Sequence, residues 1–151
     1  MRQAFTGKPW PYSQMDVDDI AAMPVSELAH EDARLFVWTT PKFLHDTFHI
    51  IESWGFEPGL TLTWIKKPRG TQQVTTEFLI RSSRGRPPRL PWCNTTWFDW
   101  KRPPGHSQKP PAAYDLIEEQ GEAPRVELFA RQPRLGWDGW GLGVEEEPEA
   151  M

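Results

Sequence analysis

Lys109 directly precedes Pro110 in this 151-residue sequence, at a point where the following residues predict a helix. The N–H groups at the start of a helix attract anions, and a lysine beside them adds a compact cation. Lys109 is therefore a candidate binding residue for a carboxylate or a phosphate. The alternative is a lysine that only contacts solvent.

His45, His49 and Glu52 follow one another at spacings of four and three residues, which places them near one face of a helix. Imidazole and carboxylate groups of this kind are ligands of zinc. No further ligand candidate stands at a recognisable spacing. We therefore interpret the three residues as a polar helix face and expect no metal site.

Basic residues are concentrated in one part of an otherwise acidic chain. The formal net charge is −4, yet residues 66–102 contain nine basic and two acidic residues, a local net charge of +7. Such a stretch, rich in aromatic residues, is typical of a surface that binds phosphates. A solvated loop region is the alternative explanation.

The hydrophobic pattern predicts alternating helices and strands. The predicted helices cover residues 16–23, 40–54 and 110–119, and the predicted strands cover residues 35–38, 60–66, 77–82 and 126–130, with a further short strand within 95–98. Thr40 and Pro41 are expected to begin the second helix, and Gly55 to end it. The strand, helix and strand of residues 35–66 favour a parallel pairing of the two strands. This order predicts one α/β domain with a three-layer sheet, whose ligands bind beyond the carboxyl ends of the strands.

Composition sets the limits of that domain. Nine tryptophans and eight phenylalanines predict a packed core, although the mean hydropathy is −0.64. We expect the domain to cover residues 1–144, and residues 145–151 to be an acidic disordered tail. A single cysteine excludes an intramolecular disulfide, and no apolar stretch is long enough to span a bilayer. We therefore expect an intracellular protein, cytoplasmic or, if the source is eukaryotic, nuclear.

Short motifs occur in a fixed order along the chain. They are Pro11-Tyr12-Ser13-Gln14-Met15, Leu35-Phe36-Val37-Trp38-Thr39-Thr40, Trp54-Gly55-Phe56, Thr61-Leu62-Thr63-Trp64-Ile65-Lys66, His106-Ser107-Gln108-Lys109-Pro110, Glu127-Leu128-Phe129-Ala130-Arg131 and Gly136-Trp137-Asp138-Gly139-Trp140-Gly141. This series resembles the MT-A family of N(6)-adenine methyltransferases, named for the seventy-kilodalton subunit of the mRNA adenosine methyltransferase. Members show segments such as PYxTM, LFLWVT, HSxKP, LELFAR and GWxxWG. The resemblance extends over residues 11–141.

The resemblance implies a fold and a set of binding residues. The fold is a Rossmann-like methyltransferase sheet in permuted motif order, with the catalytic strand early and the cosubstrate strand, residues 126–130, late. The cosubstrate is S-adenosylmethionine, and the substrate is adenine in DNA or RNA. The implied cosubstrate contacts are Asp18 to the methionine amine, Lys109 to its carboxylate, and Arg131 with Arg134 on the ribose side. The implied phosphate contacts are Lys66, Lys67 and Arg69.

The chain also departs from the family pattern. Family members use Asp-Pro-Pro-Trp, whose acid and backbone carbonyl accept the hydrogens of the adenine amine, and this tetrapeptide is absent here. Gly141-Leu142-Gly143 stands where the family has Gly-Asn-Glu or Gly-Asn-Gln, and the connection between Lys66 and Glu77 is short. We therefore predict a truncated or degenerate methyltransferase that lacks the first catalytic strand and is not active alone. The alternatives are a non-catalytic, nucleic-acid-binding partner of a second methyltransferase subunit, and a non-functional gene fragment.

Overall fold

A computed structural model describes residues 15–68, 70–71, 73–89, 91, 94–105 and 108–141. The chain forms two compact units. The first comprises Asp16–Arg102 and Pro110–Gly121, and the second contains the described residues of Pro103–Lys109 and of 122–141. The domain over residues 1–144 stays a prediction, and the tail over 145–151 lies outside the described residues. Within the described ranges, no helix has the length and apolar character needed to cross a membrane.

The first unit contains both helices and strands, and three of its strands follow one another in the chain. Its helices are α1 (Val17–Ala21), α2 (Val25–Leu28), α3 (Leu44–Ser53) and α4 (Pro111–Gln120), with a 3-10 helix over Pro41–Phe43, and its strands are β1 (Ala33–Thr39), β2 (Glu57–Ile65), β3 (Thr76–Arg84) and β4 (Trp97–Phe98). The second unit contains β5 (Val126–Leu128) and β6 (Asp138–Trp140). The predicted mixed α/β class with a multistranded sheet is confirmed.

The four strands of the first unit form one sheet in the order β1-β3-β2-β4. β3 is antiparallel to both β1 and β2, and β4 is parallel to β2. The predicted pairing of β1 with β2 is wrong, because β3 lies between them, although the two strands do run in the same direction. Leu79 and Ile80 of β3 are buried at 1% and 0% exposure, so the inserted strand is the apolar centre of the sheet.

Helices cover both faces of this sheet. Successive strand residues point to opposite faces, so the burial of Leu79 and Ile80 requires cover on each side. Leu116 of α4 packs with Leu62 and Leu79 on one face. On the other face, the Thr47 hydroxyl of α3 donates to the Thr39 hydroxyl of β1 at 2.7 Å. The first unit is therefore a sheet between α4 and α3.

The ends of the helical segment that contains α3 agree with the sequence pattern. The 3-10 helix begins at Pro41 and continues into α3, and Gly55, with a φ of +82°, follows the helix end. Thr40 precedes this helical segment, but its side chain makes no capping hydrogen bond. Its carbonyl instead accepts from the N–H of Phe43 at 3.1 Å. The predicted start of the helix at Thr40 and Pro41 and its predicted end at Gly55 are both confirmed.

Arg84 connects the end of β3 to the N-terminal helices. Its guanidinium donates to the Ser26 carbonyl at 3.0 Å, to the Ser26 hydroxyl at 2.8 Å and to the His30 carbonyl at 2.7 Å. It also lies 5.3 Å from the centre of the Phe56 ring. The sequence pattern did not predict α2, because this helix is only four residues long and shows no periodicity. Arg84 holds this short segment against the sheet.

The second unit is built around two parallel strands. β5 and β6 pair in register from Val126 with Asp138 to Leu128 with Trp140. β5 is shorter than the predicted strand over 126–130, because Phe129 adopts a left-handed backbone with a φ of 60°. β6 lies in a segment for which the sequence pattern predicts no strand. Its three residues, Asp138, Gly139 and Trp140, are too few to show the alternation of apolar and polar residues that identifies a strand.

Candidate functional site

The carboxyl ends of β1, β2 and β4 meet at one edge of the sheet, because these three strands run in the same direction. Thr40, Lys66 and Asp99 are the first residues beyond them. Ligands of open α/β sheets bind outside such carboxyl ends. The edge is therefore the part of the first unit in which a substrate site is expected.

Lys66 is held by partners within the sheet. Its ammonium lies 3.3 Å from a carboxylate oxygen of Glu77, and the two side chains are only 11% and 15% exposed. The ammonium also lies 5.6 Å from the centre of the Trp64 ring. A phosphate that binds Lys66 must compete with these contacts, so the assignment of Lys66 to phosphate stays a prediction.

Lys67 is more accessible than Lys66. Its side chain is exposed, and its backbone carbonyl accepts from the guanidinium of Arg102 at 3.3 Å. The adjacent Lys101 is also exposed. Arg69, the third predicted phosphate contact, lies outside the described residues. Lys67 and Lys101 are thus two accessible cations on neighbouring chain segments at the carboxyl edge.

Lys109 lies directly before the N-terminal cap residue of α4. It is half-buried, and Pro110 follows as the N-terminal cap residue in an extended conformation, with φ −63° and ψ 140°. The side chain of Pro110 makes no capping hydrogen bond to α4, and Pro111 at the first helical position has no N–H. The predicted position of Lys109 before a helix is confirmed. His106 and Ser107 of the same motif lie outside the described residues.

Arg131 and Arg134 follow β5. Between the strand and these arginines, the N–H of Ala130 donates to the Trp140 carbonyl at 3.0 Å, and the Phe129 and Trp140 rings meet edge to face at 5.5 Å. A left-handed backbone at a bulky residue such as Phe129 is strained and is often found at functional sites. The sequence pattern missed this feature, because nothing in the residue types of the motif indicates a positive φ.

Asp18 lies in the first turn of α1 and is exposed. The carboxylate of Asp16 caps this helix by accepting from the N–H of Asp19 at 2.8 Å. The indole N–H of Trp54 donates to the Ile20 carbonyl at 3.1 Å and fastens α1 to the end of α3. Asp18 is therefore an accessible carboxylate on a helix with a fixed position in the first unit.

The predicted binding residues are divided between the two units. Asp18, Lys66 and Lys67 belong to the first, whereas Lys109, Arg131 and Arg134 belong to the second. The list of cosubstrate contacts thus draws on both units, and these roles stay predictions.

The polar face of α3 carries His45, His49 and Glu52, all of them exposed. The hydroxyl of Ser53 bonds the His49 carbonyl at 2.8 Å, a contact within the helix itself. In the part of the chain that the structure describes, no three His, Cys, Asp or Glu side chains form a group that could hold a metal ion.

Comparisons with known proteins agree with the motif series. The sequence model of the MT-A70 family matches residues 2–84. Over 141 residues the chain is 30% identical to the Type II methyltransferase M.MunI from Mycoplasma sp, an alignment that covers 89% of this chain and 60% of that protein. The chain thus spans about 60% of the length of this curated relative. Since the family match covers more than half of the sequence, this chain belongs to the MT-A70 family.

Proposed function

We propose that this chain is a methyltransferase domain that binds S-adenosylmethionine and acts on the exocyclic amine of adenine in DNA or RNA. The single observation that carries the proposal is the position of Lys109, which the HSxKP-like motif of this family places directly before α4. The similarity to a type II methyltransferase supports the same reaction class.

The charged residues suit the amino-acid end of the cosubstrate. That end carries one carboxylate and one ammonium, and the chain provides the cation of Lys109 for the first and the carboxylate of Asp18 for the second. Arg131 and Arg134 can donate to ribose hydroxyls. When bound, S-adenosylmethionine supplies a methyl group on a sulfonium. The residues of this chain orient the two ends of the molecule and hold its charges.

Accessible cations at the carboxyl edge support the nucleic-acid substrate. Lys67 and Lys101 are exposed there, in a stretch whose net charge is +7. Lysines in such a stretch neutralise phosphates and make the affinity depend on salt. Lys66 contributes less directly, because its ammonium is already paired with Glu77.

The second candidate function is a non-catalytic partner that holds nucleic acid for an active relative. It is favoured by the absence of Asp-Pro-Pro-Trp from the 151 residues. Without an acid and a carbonyl to accept its hydrogens, the adenine amine keeps its lone pair delocalised into the ring. Binding of both substrates would then not lead to transfer.

A radiolabelled methyl-transfer assay on single-stranded adenine oligonucleotides separates the two functions. The 151-residue chain is compared with a version extended upstream to include any in-frame Asp-Pro-Pro-Trp. We expect only trace transfer from the first, at least about 100- to 1000-fold below the second, as for the loss of an electrostatic catalytic group. Equal and robust turnover by both would show that the acid acts from another position. Oligonucleotide binding without cosubstrate binding by either chain would establish the partner function.

A further inference from the structure

An exposed tryptophan stands on the edge strand of the sheet. Trp97 of β4 is 57% exposed, although burial of an indole normally stabilises a fold. Burial alternates from this residue onward: Trp97, Asp99 and Lys101 are exposed, whereas Phe98, Trp100 and Arg102 are half-buried. The segment over residues 97–102 therefore has an inner side packed on the protein and an outer side open to solvent.

The inner side fixes the segment in place. The Phe98 and Trp100 rings are stacked with centroids 4.2 Å apart, and both pack on the core cluster around Leu62. The Trp100 carbonyl accepts from the indole N–H of Trp64 at 2.9 Å. The backbone of β4 is paired with β2 as well, because the N–H of Thr63 donates to the Thr96 carbonyl at 2.8 Å. Trp97 thus projects from a rigid support.

Neighbouring residues of β2 extend the exposed surface. Thr63 is the register partner of Trp97, and Ile65, two residues further along β2, lies on the same face and is 43% exposed. Lys67 and Lys101 continue the two segments past the end of the strands. We call Ile65, Lys67, Trp97 and Lys101 the Trp97 surface.

We propose that the Trp97 surface binds single-stranded nucleic acid, with an unpaired base stacked on the indole of Trp97 and phosphates next to Lys67 and Lys101. An exposed aromatic ring beside cations is the arrangement by which proteins hold unpaired strands independently of sequence. The cores of protein–protein interfaces are depleted of charge, so two exposed lysines on the same two chain segments as the indole favour nucleic acid over a protein partner. Asp99 is the only acid on the outer side of the segment.

This inference rests on the proposed nucleic-acid substrate and adds to it a stacking residue. It places one contact of the nucleic acid at β4, the edge strand at the opposite side of the sheet from β1 in the order β1-β3-β2-β4. Lys67 and Lys101 neutralise phosphate charge whatever the nucleotide sequence. Trp97, in contrast, distinguishes a strand with unpaired bases from a bare sugar–phosphate chain.

The test compares two labelled ligands by fluorescence anisotropy at low salt, a single-stranded oligonucleotide of about five nucleotides and its fully abasic analogue. We expect Trp97→Ala to weaken binding of the oligonucleotide by about 5- to 150-fold and to leave binding of the abasic analogue unchanged. Trp97→Phe should retain most of the affinity, because a phenyl ring still stacks. Lys67→Ala and Lys101→Ala should weaken both ligands equally and reduce the slope of affinity against salt by about one each.

Two control variants match these changes. Leu28→Ala removes another apolar side chain, 60% exposed on α2, and Arg86→Ala removes an exposed basic residue that follows antiparallel β3, at the sheet edge opposite the carboxyl ends of β2 and β4. Both should bind the oligonucleotide as the unchanged chain does.

Three outcomes would overturn the inference. The first is equal oligonucleotide affinity in Trp97→Ala and the unchanged chain. The second is a dimer in sedimentation experiments that Trp97→Ala dissociates without affecting oligonucleotide binding, since the occupant would then be a second copy of this chain. The third is an unchanged chain that binds neither ligand, which would also remove the nucleic-acid part of the proposed function. The first two leave the methyl-transfer proposal intact, because cosubstrate binding and transfer are measured separately.

Discussion

The ammonium of Lys66 and the carboxylate of Glu77 lie 3.3 Å apart and join the end of β2 to the start of β3. Both side chains are largely shielded from water, and the Trp64 ring lies beside the ammonium. Water therefore screens this pair less than it screens an ion pair at the surface. The contact secures the carboxyl edge at the point where the basic stretch of residues 66–102 begins.

Removal of one partner of this pair should destabilise the first unit. We expect Glu77→Gln and Lys66→Met each to lower the free energy of unfolding by about 1–4 kcal/mol, between the values for exposed and buried pairs. The double variant should lose less than the sum of the two, because neither charge is then left unpaired. Urea denaturation of the four chains measures the coupling. Simple additivity would show that the two side chains do not interact in solution.

Lys109 should contribute to cosubstrate binding. We expect Lys109→Ala to weaken the binding of S-adenosylmethionine by about 1–3 kcal/mol, as for a hydrogen bond to a charged group. Isothermal titration calorimetry measures the affinity, and Lys42→Ala, which removes an exposed lysine beyond β1, is the control. An unchanged affinity in Lys109→Ala would remove this residue from the proposed site.

Substitution of Arg84 should lower the stability of the chain more than substitution of Arg86. Lysine cannot reproduce the planar fork that serves the Ser26 and His30 carbonyls, so Arg84→Lys should cost about 1–3 kcal/mol of unfolding free energy. Arg86 is exposed, and Arg86→Lys should change the stability by less than about 0.5 kcal/mol. Thermal unfolding of the two variants makes the comparison. Equal stability would mean that the Arg84 contacts contribute nothing measurable.

Gly59 should not tolerate a side chain. It lies where the pairing of β2 with β3 shifts in register, between Pro58 and Thr61. A Cβ atom on Gly59 would lie 2.9 Å from the backbone carbonyl oxygen of Arg81, whereas one on Gly121 would meet the Ile117 carbonyl oxygen at an ordinary 3.8 Å. Gly59→Ala should therefore cost about 1–3 kcal/mol, the usual cost of overpacking. Gly121→Ala is the matched control. Similar stabilities in chemical denaturation would show that β3 can move away from Gly59.

Two buried hydroxyl groups should respond differently to removal. The Thr47 hydroxyl is hydrogen-bonded to the Thr39 hydroxyl and to the Phe43 carbonyl, both at 2.7 Å, so Thr47→Val should cost about 1 kcal/mol. The Ser82 hydroxyl, 1% exposed, has no hydrogen-bond partner among the described residues. Ser82→Ala should be neutral or stabilising. A loss of stability in Ser82→Ala similar to that in Thr47→Val would reveal a partner for Ser82.

Local sequence patterns were sufficient for most helices and strands. The strand at the apolar run of residues 35–38, the helix that ends before Gly55 and the helix predicted over residues 110–119 all lie where the pattern predicts. Each of these features depends on neighbours along the chain, which a periodicity describes directly. The position of Lys109 before α4 could be predicted for the same reason.

Contacts between distant residues were not predictable in this way. The insertion of β3 between β1 and β2 depends on pairings such as Val37 with Ile80, and no local pattern encodes them. The left-handed backbone of Phe129 and the exposure of Trp97 depend likewise on the surrounding structure. The motif series indicated the family, whereas the ion pair of Lys66 became visible only in the folded chain.

The central position of β3 also bears on the order of events during synthesis. β1 and β2 leave the ribosome first, yet neither has its β3 neighbour until residues 76–84 have emerged. A nascent chain that stops before Thr76 therefore presents two apolar strands with open hydrogen-bonding edges, the kind of surface that recruits chaperones or aggregates. Ribosome-bound chains should resist protease only once Arg84 has emerged, because β1, β3 and β2 can then pair in one step and β4 adds afterwards.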